Sequence, residues 1–208
     1  MNIFFDLDGT ILNVSERYYF VHSLCVDSTG KSPLARKRYL ELRREGWDEK
    51  RIVNQEGCDP DAHMECWNRA IESQEALQRD FLVEGILHCL EKLSTDHTLF
   101  LVTLRRKPEN LEGQLEKYDL KKYFSKITTG SPTGDPSEFK VGLIKSSGVA
   151  CDIIVGDTEV DVHAAKILNA RSLTITYGLR GKKFLEEIGA QFFASSPSEI
   201  LIKLRNYI

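Results

Sequence analysis

The sequence predicts an α/β protein: a Rossmann-like parallel sheet with helices on both faces, and an α-helical block inserted after the first strand. Three observations predict it. Residues 2–6, NIFFD, are a short apolar run suited to a buried strand, almost at the N-terminus. From about residue 14 to 80 only helix-like periodicity is present. After about residue 84, strand-like and helix-like stretches alternate with short connections, the pattern of a parallel sheet covered on both faces.

Within the helical stretch, SERYYFVHSLCV puts Tyr18, Val21, Leu24 and Cys25 on one face. Charged pieces follow over 33–45 and near 48–55, and DAHMECWNRAIESQEAL presents Met64, Trp67, Ile71 and Leu77. The alternating part then reads as helix EGILHCLEKL, strand HTLFLVT, a helix near 108–117 and a weak strand SKITT. Helix SEFKVGLIKSS, strand CDIIVG, helix TEVDVHAAKILN and strand SLTITY come next. A short helix near 182–188, strand QFFA and a last helix after SSPSE complete the chain. Residues 1–13 and 81–208 are therefore expected to form the core and 14–80 the insertion. No internal repeat or low-complexity tract interrupts this pattern.

The 208 residues, 41% hydrophobic and 28% charged, suffice for one buried core carrying an insertion. A net charge of -3 and a pI near 6.0 give no general attraction to nucleic acid or anionic membrane, so neither is expected as a partner. No secretory leader pattern and no apolar run of bilayer length is present, and the expected location is the cytoplasm. Five cysteines without a C-x-x-C pair suit reduced thiols. Cys58, His63 and Cys66 cluster, but their spacing matches no common zinc pattern and a fourth ligand is missing. Buried thiols and a surface histidine are expected there.

The strand ends carry the chemistry. Asp6 and Asp8 leave the first strand on one side and Gly9 lets the backbone turn. CDIIVGDTEVD ends a second strand on Asp157, with Asp161 one helical turn further on the same face. LFLVT ends a third on Thr103. Lys140 lies near the start of a helix with Ser137 as its expected cap. In open α/β sheets ligands bind at the carboxyl ends of strands, near the point where strand order reverses. Carboxylates gathered there repel by about 4 kcal/mol at 4 Å and an effective dielectric of 20. Either a cation offsets this or some of them stay protonated, and an all-oxygen donor set suits Mg²⁺.

In this order DLDGT, LFLVT, Lys140 and GDTEVD resemble the haloacid dehalogenase-like superfamily, in particular its phosphatases with a helical cap after the first motif, such as phosphoglycolate phosphatase-like proteins. The resemblance covers nearly the whole chain. It implies an Mg²⁺-dependent phosphatase acting on a small phosphorylated metabolite through an aspartyl phosphate, as a monomer or homodimer. Asp6 would be the nucleophile and Asp8 the general acid/base. Thr103, Leu104 and Lys140 would hold the phosphate. Asp6, Asp8 through its backbone, and Asp157 would bind the metal, with Asp161 in support. An aspartate ionised at neutral pH needs no base to attack phosphorus, and neighbouring carboxylates would raise the Asp8 pKa enough for it to hold a proton.

Some positions depart from the family pattern. Lys140 is followed by Val and stands near GDTEVD, so Lys145 is a rival for the phosphate site. Asn13 stands where relatives often carry an acid, and Arg105 follows in TLR as a candidate for the cleft. Residues 31–51 carry eight Lys or Arg against four Asp or Glu, either a solvated face or cations turned to the substrate. A phosphomutase with the same core is the enzymatic alternative, with His22 the nearby histidine. A non-catalytic interaction module is the other, and it would show a decayed site.

Overall fold

The computed structural model describes residues 1–205. Strand β1 (Asn2–Phe5) runs through the centre of the sheet and is buried on both faces. Its alternation is plain in the packing: Ile3 and Phe5 enter one apolar cluster with Leu99, Leu101, Ile153 and Val155, while Phe4 enters the other with Phe100, Val102 and Ile154. A central parallel strand needs this continuous apolar character, which is why NIFF reads as it does.

After β1 come β2 (Leu12–Asn13) and five helices: α1 (Ser15–Asp27), α2 (Arg36–Arg44), α3 (Glu49–Gln55), α4 (Pro60–Ala70) and α5 (Gln74–Leu77). Capping sets several starts. Asp48 accepts from the Arg51 amide, Asp59 from the amides of Asp61 and Ala62 ahead of Pro60, and Ser73 from that of Ala76. Strand β3 (Phe81–Leu82) returns antiparallel to β2, pairing Leu12 with Leu82 and Asn13 with Phe81. The chain thus enters and leaves the helical block side by side.

The remainder follows the expected alternation: α6 (Ile86–Asp96), β4 (Thr98–Thr103), α7 (Pro108–Lys117), β5 (Lys126–Thr129), α8 (Pro136–Lys145), β6 (Ile153–Gly156), α9 (Glu159–Leu168), β7 (Arg171–Ile175), α10 (Lys182–Glu187), β8 (Phe192–Ala194) and α11 (Pro197–Arg205). The six long strands pair in parallel in the order β5-β4-β1-β6-β7-β8. The chain builds outward from β1 on one side, then crosses over to build outward on the other. The order reversal therefore lies at β1, with β4 and β6 beside it. Among the described residues no helix is long and apolar enough to cross a membrane.

Four local expectations are corrected. Leu24 is exposed, because the buried stripe of α1 is turned to Arg17, Val21, His22, Cys25 and Val26. Asp135, not Ser137, caps α8, accepting from the amides of Ser137 and Glu138. His63 is buried rather than on the surface. Cys25 and Cys66 are joined as a disulfide between α1 and α4, while Cys58, Cys89 and Cys151 are free. A disulfide persists in oxidising surroundings, so the cytoplasmic expectation loses the support it drew from the cysteines.

Candidate active site

A cleft of about 380 Å³ opens at the carboxyl ends of β1 and β4, between the sheet and the helical block. Asp6, Asp8, Thr103, Leu104, Arg105 and Lys140 line it from the sheet side, and Arg17, Tyr18, Arg43 and Trp67 from the helical side. Asp6 follows β1 directly, its amide bonded to Val155 O at 2.9 Å. The chain then turns at Gly9, at φ +82°, where a Cβ would lie 2.0 Å from the Asp157 carboxylate. Gly9 thus allows the turn and also the close approach of Asp157, which follows β6.

Two ionic groups share this edge. In the first, Lys140 Nζ lies 2.6 Å from Asp6 Oδ1 and 2.5 Å from Asp161 Oδ1. Asp161 also accepts from the Thr158 amide and hydroxyl through Oδ2, so it caps α9 and holds the lysine at once. Lys145, the rival, is exposed at the far end of α8. Burial would deprotonate Lys140, yet Asp161 and Asp6 hold its pKa above the ordinary lysine value. Asp157 is fully buried; its Oδ2 accepts from the Leu179 amide at 2.6 Å and its Oδ1 has no hydrogen-bond partner. Burial, then Asp6 and Asp161, push Asp157 well above the carboxylate range. Burial also lifts Asp6 to about 7 against the pull of Lys140, with Asp161 and Asp8 adding to the rise.

The second group surrounds Asp8. Arg105 grips it with Nε to Oδ2 at 2.7 Å and Nη2 to Oδ1 at 2.6 Å, the paired geometry that favours arginine. Arg17 Nη2, from α1, adds a contact to Oδ2 at 2.7 Å. Behind both, Asp80 pairs with Arg17 Nε at 3.0 Å and Arg105 Nη2 at 3.2 Å, and accepts from Gln114 at 2.9 Å. Burial would raise the Asp8 pKa, but Arg105 and Arg17 outweigh it and hold the carboxyl well below the usual range. This reverses the expected rise. The expectation counted only neighbouring carboxylates, whereas two guanidinium groups face Asp8 here. Arg105, expected as a candidate for the cleft and for substrate binding, does line the cleft, with its Nε and Nη2 committed to Asp8 and Asp80.

Further contacts seat the helical block on the sheet. Arg44 donates to Thr176 O and Gly178 O at 3.0 and 3.1 Å, and Arg180 donates to Arg43 O at 2.9 Å while pairing with Glu159. On the other side Glu72 accepts from the amides of Arg106 and Lys107. The basic stretch 31–51 therefore divides: Arg43 lines the cleft, while Arg36, Arg38 and Lys50 make surface pairs.

Sequence reasoning missed Arg17 and Asp80. Arg17 had a signal, since it precedes Val21 and Cys25 by one and two helical turns and so falls on their buried stripe. Asp80 had none: it is a lone acid before FLV, whose burial depends on α1, α7 and the β4 end meeting over it.

The comparisons agree with this architecture. A phosphoglycolate phosphatase from Synechococcus elongatus is 23% identical over 209 residues, covering 96% of this chain and 94% of that protein. A haloacid dehalogenase-like hydrolase structure from Streptococcus pneumoniae superposes with a TM-score of 0.80 at 21% identity, covering 98% and 97% of the two chains. A predicted phosphatase from Clostridium acetobutylicum gives 0.78 at 20% identity, covering 99% and 98%. The sequence profile of the haloacid dehalogenase-like hydrolases matches residues 3–175, and the chain belongs to that family.

Proposed function

We propose that this chain is an Mg²⁺-dependent phosphatase of a small phosphorylated metabolite, working through an aspartyl phosphate on Asp6, with residues 14–80 as its cap. The observation that carries the reading is the contrast within one strand end: Asp6 against Lys140, and Asp8 two residues on between two arginines.

An Asp6 oxygen attacks phosphorus as the ester oxygen departs, and Asp8 gives that oxygen a proton. Water then attacks the aspartyl phosphate, passing its proton to Asp8 and freeing Asp6 and inorganic phosphate. Clamped as it is, Asp8 is a carboxylate, ready for the second step. For the first, an anionic substrate drawing Arg17 and Arg105 towards itself would release Asp8 to take up a proton. Lys140 offsets the approach of anion to anion, with Thr103 and the Leu104 backbone beside it on the phosphate.

The residues fit Mg²⁺. Asp157 Oδ1 is buried without a partner, and the raised proton affinities of Asp157 and Asp6 mark a site short of positive charge. Asp6, Asp157 and the Asp8 backbone carbonyl would hold the ion, with Asp161 supporting through Lys140 and Thr158. When bound it supplies charge that stabilises the oxygens of the transferring group.

Phosphoglycolate, the compound in the Synechococcus relative's name, carries a carboxylate beside its phosphate. Arg43 Nε and Arg105 Nη1, buried without hydrogen-bond partners at the cleft, are suited to such a second anionic group. A phosphomutase would need a proton-transferring group in the cleft. His22 does not serve, being committed to Glu49 and Glu56 inside the helical block. The test is phosphate release from a panel of phosphorylated acids, sugars and nucleotides, with and without Mg²⁺. Release that needs Mg²⁺ and vanishes in Asp6→Asn supports the reading; inactivity across the panel, with no Mg²⁺ bound, favours an interaction module.

A further inference from the structure

The helical block holds a buried cluster that this chemistry does not use. His22 on α1, Glu49 at the start of α3 and His63 on α4 meet in its interior, with one ligand atom of each lying within 4.8 Å of the others. His22 Nδ1 and His63 Nε2 lie 2.7 and 3.1 Å from the same oxygen, Glu49 Oε1. Glu56 Oε1 is 3.3 Å from His22 Nε2, and the Tyr39 hydroxyl donates to Glu49 Oε2 at 2.9 Å. Two polar atoms of this interior, His63 Nδ1 and Glu56 Oε2, are buried with no hydrogen-bond partner.

We propose that His22 Nδ1, His63 Nε2 and Glu49 Oε1 form a binding site for a divalent transition ion, with Zn²⁺ as the best match, separate from the Mg²⁺ site at the sheet edge. Two imidazoles and one carboxylate are the donor set that suits zinc, whereas Mg²⁺ prefers oxygen alone. The three donors come from three packed helices, so their convergence is fixed by the fold. Outer partners are also in place: Glu56 faces the second nitrogen of His22, and Tyr39 fixes the second oxygen of Glu49, as supporting groups do around metal-bound histidine and carboxylate.

An ion about 2.0–2.1 Å from each donor holds them roughly 3.3 Å apart, so the 2.7 and 3.1 Å contacts to Glu49 Oε1 widen by less than an ångström, and the two imidazole nitrogens, within 4.8 Å of each other, settle at a similar spacing. The ion takes the place of hydrogen between His22 Nδ1, His63 Nε2 and Glu49 Oε1, so any proton on a donor nitrogen moves to the other nitrogen of its ring or leaves to solvent.

The experiment uses the full chain, stripped with a chelator and then given Zn²⁺, or Co²⁺ as a spectroscopic stand-in, with Mg²⁺ in excess to fill the oxygen site. One Zn²⁺ retained per chain and a visible Co²⁺ absorption band from a nitrogen-containing low-coordinate site are expected. Glu49→Gln and His63→Gln should each weaken binding by at least about tenfold. No Zn²⁺ retained against Mg²⁺, no Co²⁺ band, or folded variants that bind as tightly as the parent would overturn the proposal. Should either variant fail to fold, the parent spectrum decides alone: the band supports the site and its absence removes it.

Discussion

Asp6 and Asp8 leave the same strand end, yet they sit in opposite electrostatic surroundings. Burial, with Asp161 adding to it, lifts the Asp6 carboxyl to about 7 against the single lysine that it shares with Asp161. Asp8 faces two arginines, themselves backed by Asp80, and its carboxyl is held far lower. Burial pushes both upward; what differs is the cation count supplied by other elements. Lys140 comes from α8, Arg105 from the loop after β4 and Arg17 from the helical block. Proton affinity here belongs to the tertiary fold, not to the D-x-D spacing.

The largest test of this contrast is Asp6→Asn, which removes the nucleophile while keeping its shape. Turnover should fall at least ~10³-fold, and no phosphorylated protein should be trapped on acid quench. Normal turnover in that variant would end the assignment. Next, Arg105→Met leaves Asp8 with Arg17 alone. Breaking a buried pair costs about 3 kcal/mol, read by urea unfolding. The Asp8 pKa should rise, moving the limb of the pH-rate profile that it governs to higher pH.

Mg²⁺ probes the cation-poor half. The Asp6 pKa is raised from 3.8 in the folded protein, so without the ion the folded state holds this proton more tightly than the unfolded chain does. That contribution to stability is present below about pH 4 and is lost as pH rises towards 7. Mg²⁺ should therefore stabilise more at pH 8, where it adds about 2.7 kcal/mol at 100 times its Kd, than at pH 5. Equal shifts in Tm at both pH values would contradict this. The smallest effect is expected for Arg44→Ala, which removes two exposed hydrogen bonds between the helical block and the 176–178 loop. It should cost at most about 1 kcal/mol and appear chiefly as a higher KM.

Much of the fold was legible because the central strands of the sheet are short apolar runs between stretches of helical period, while β5, KITT, gave only a weak signal. At the site, the residues at strand ends could be located from local pattern alone: Asp6, Asp8, Thr103 and Asp157 each follow or close an apolar run. Their environments could not. Arg17 is 9 positions from Asp8 in sequence and reaches it through packing of the helical block, while Arg105, 97 positions away, is brought there by the pairing of β4 with β1. The Cys25–Cys66 disulfide was illegible for the same reason, since its pairing depends on α1 lying against α4.

The two-residue ribbon of β2 and β3 has a consequence for how much this protein could change. Because Asn13 pairs with Phe81, everything between them is a single loop whose ends are already joined. Doubling such a loop adds only about 0.6 kcal/mol of closure entropy. Helices could therefore be lengthened, lost or exchanged behind that doorway while the sheet and its carboxylates keep their places.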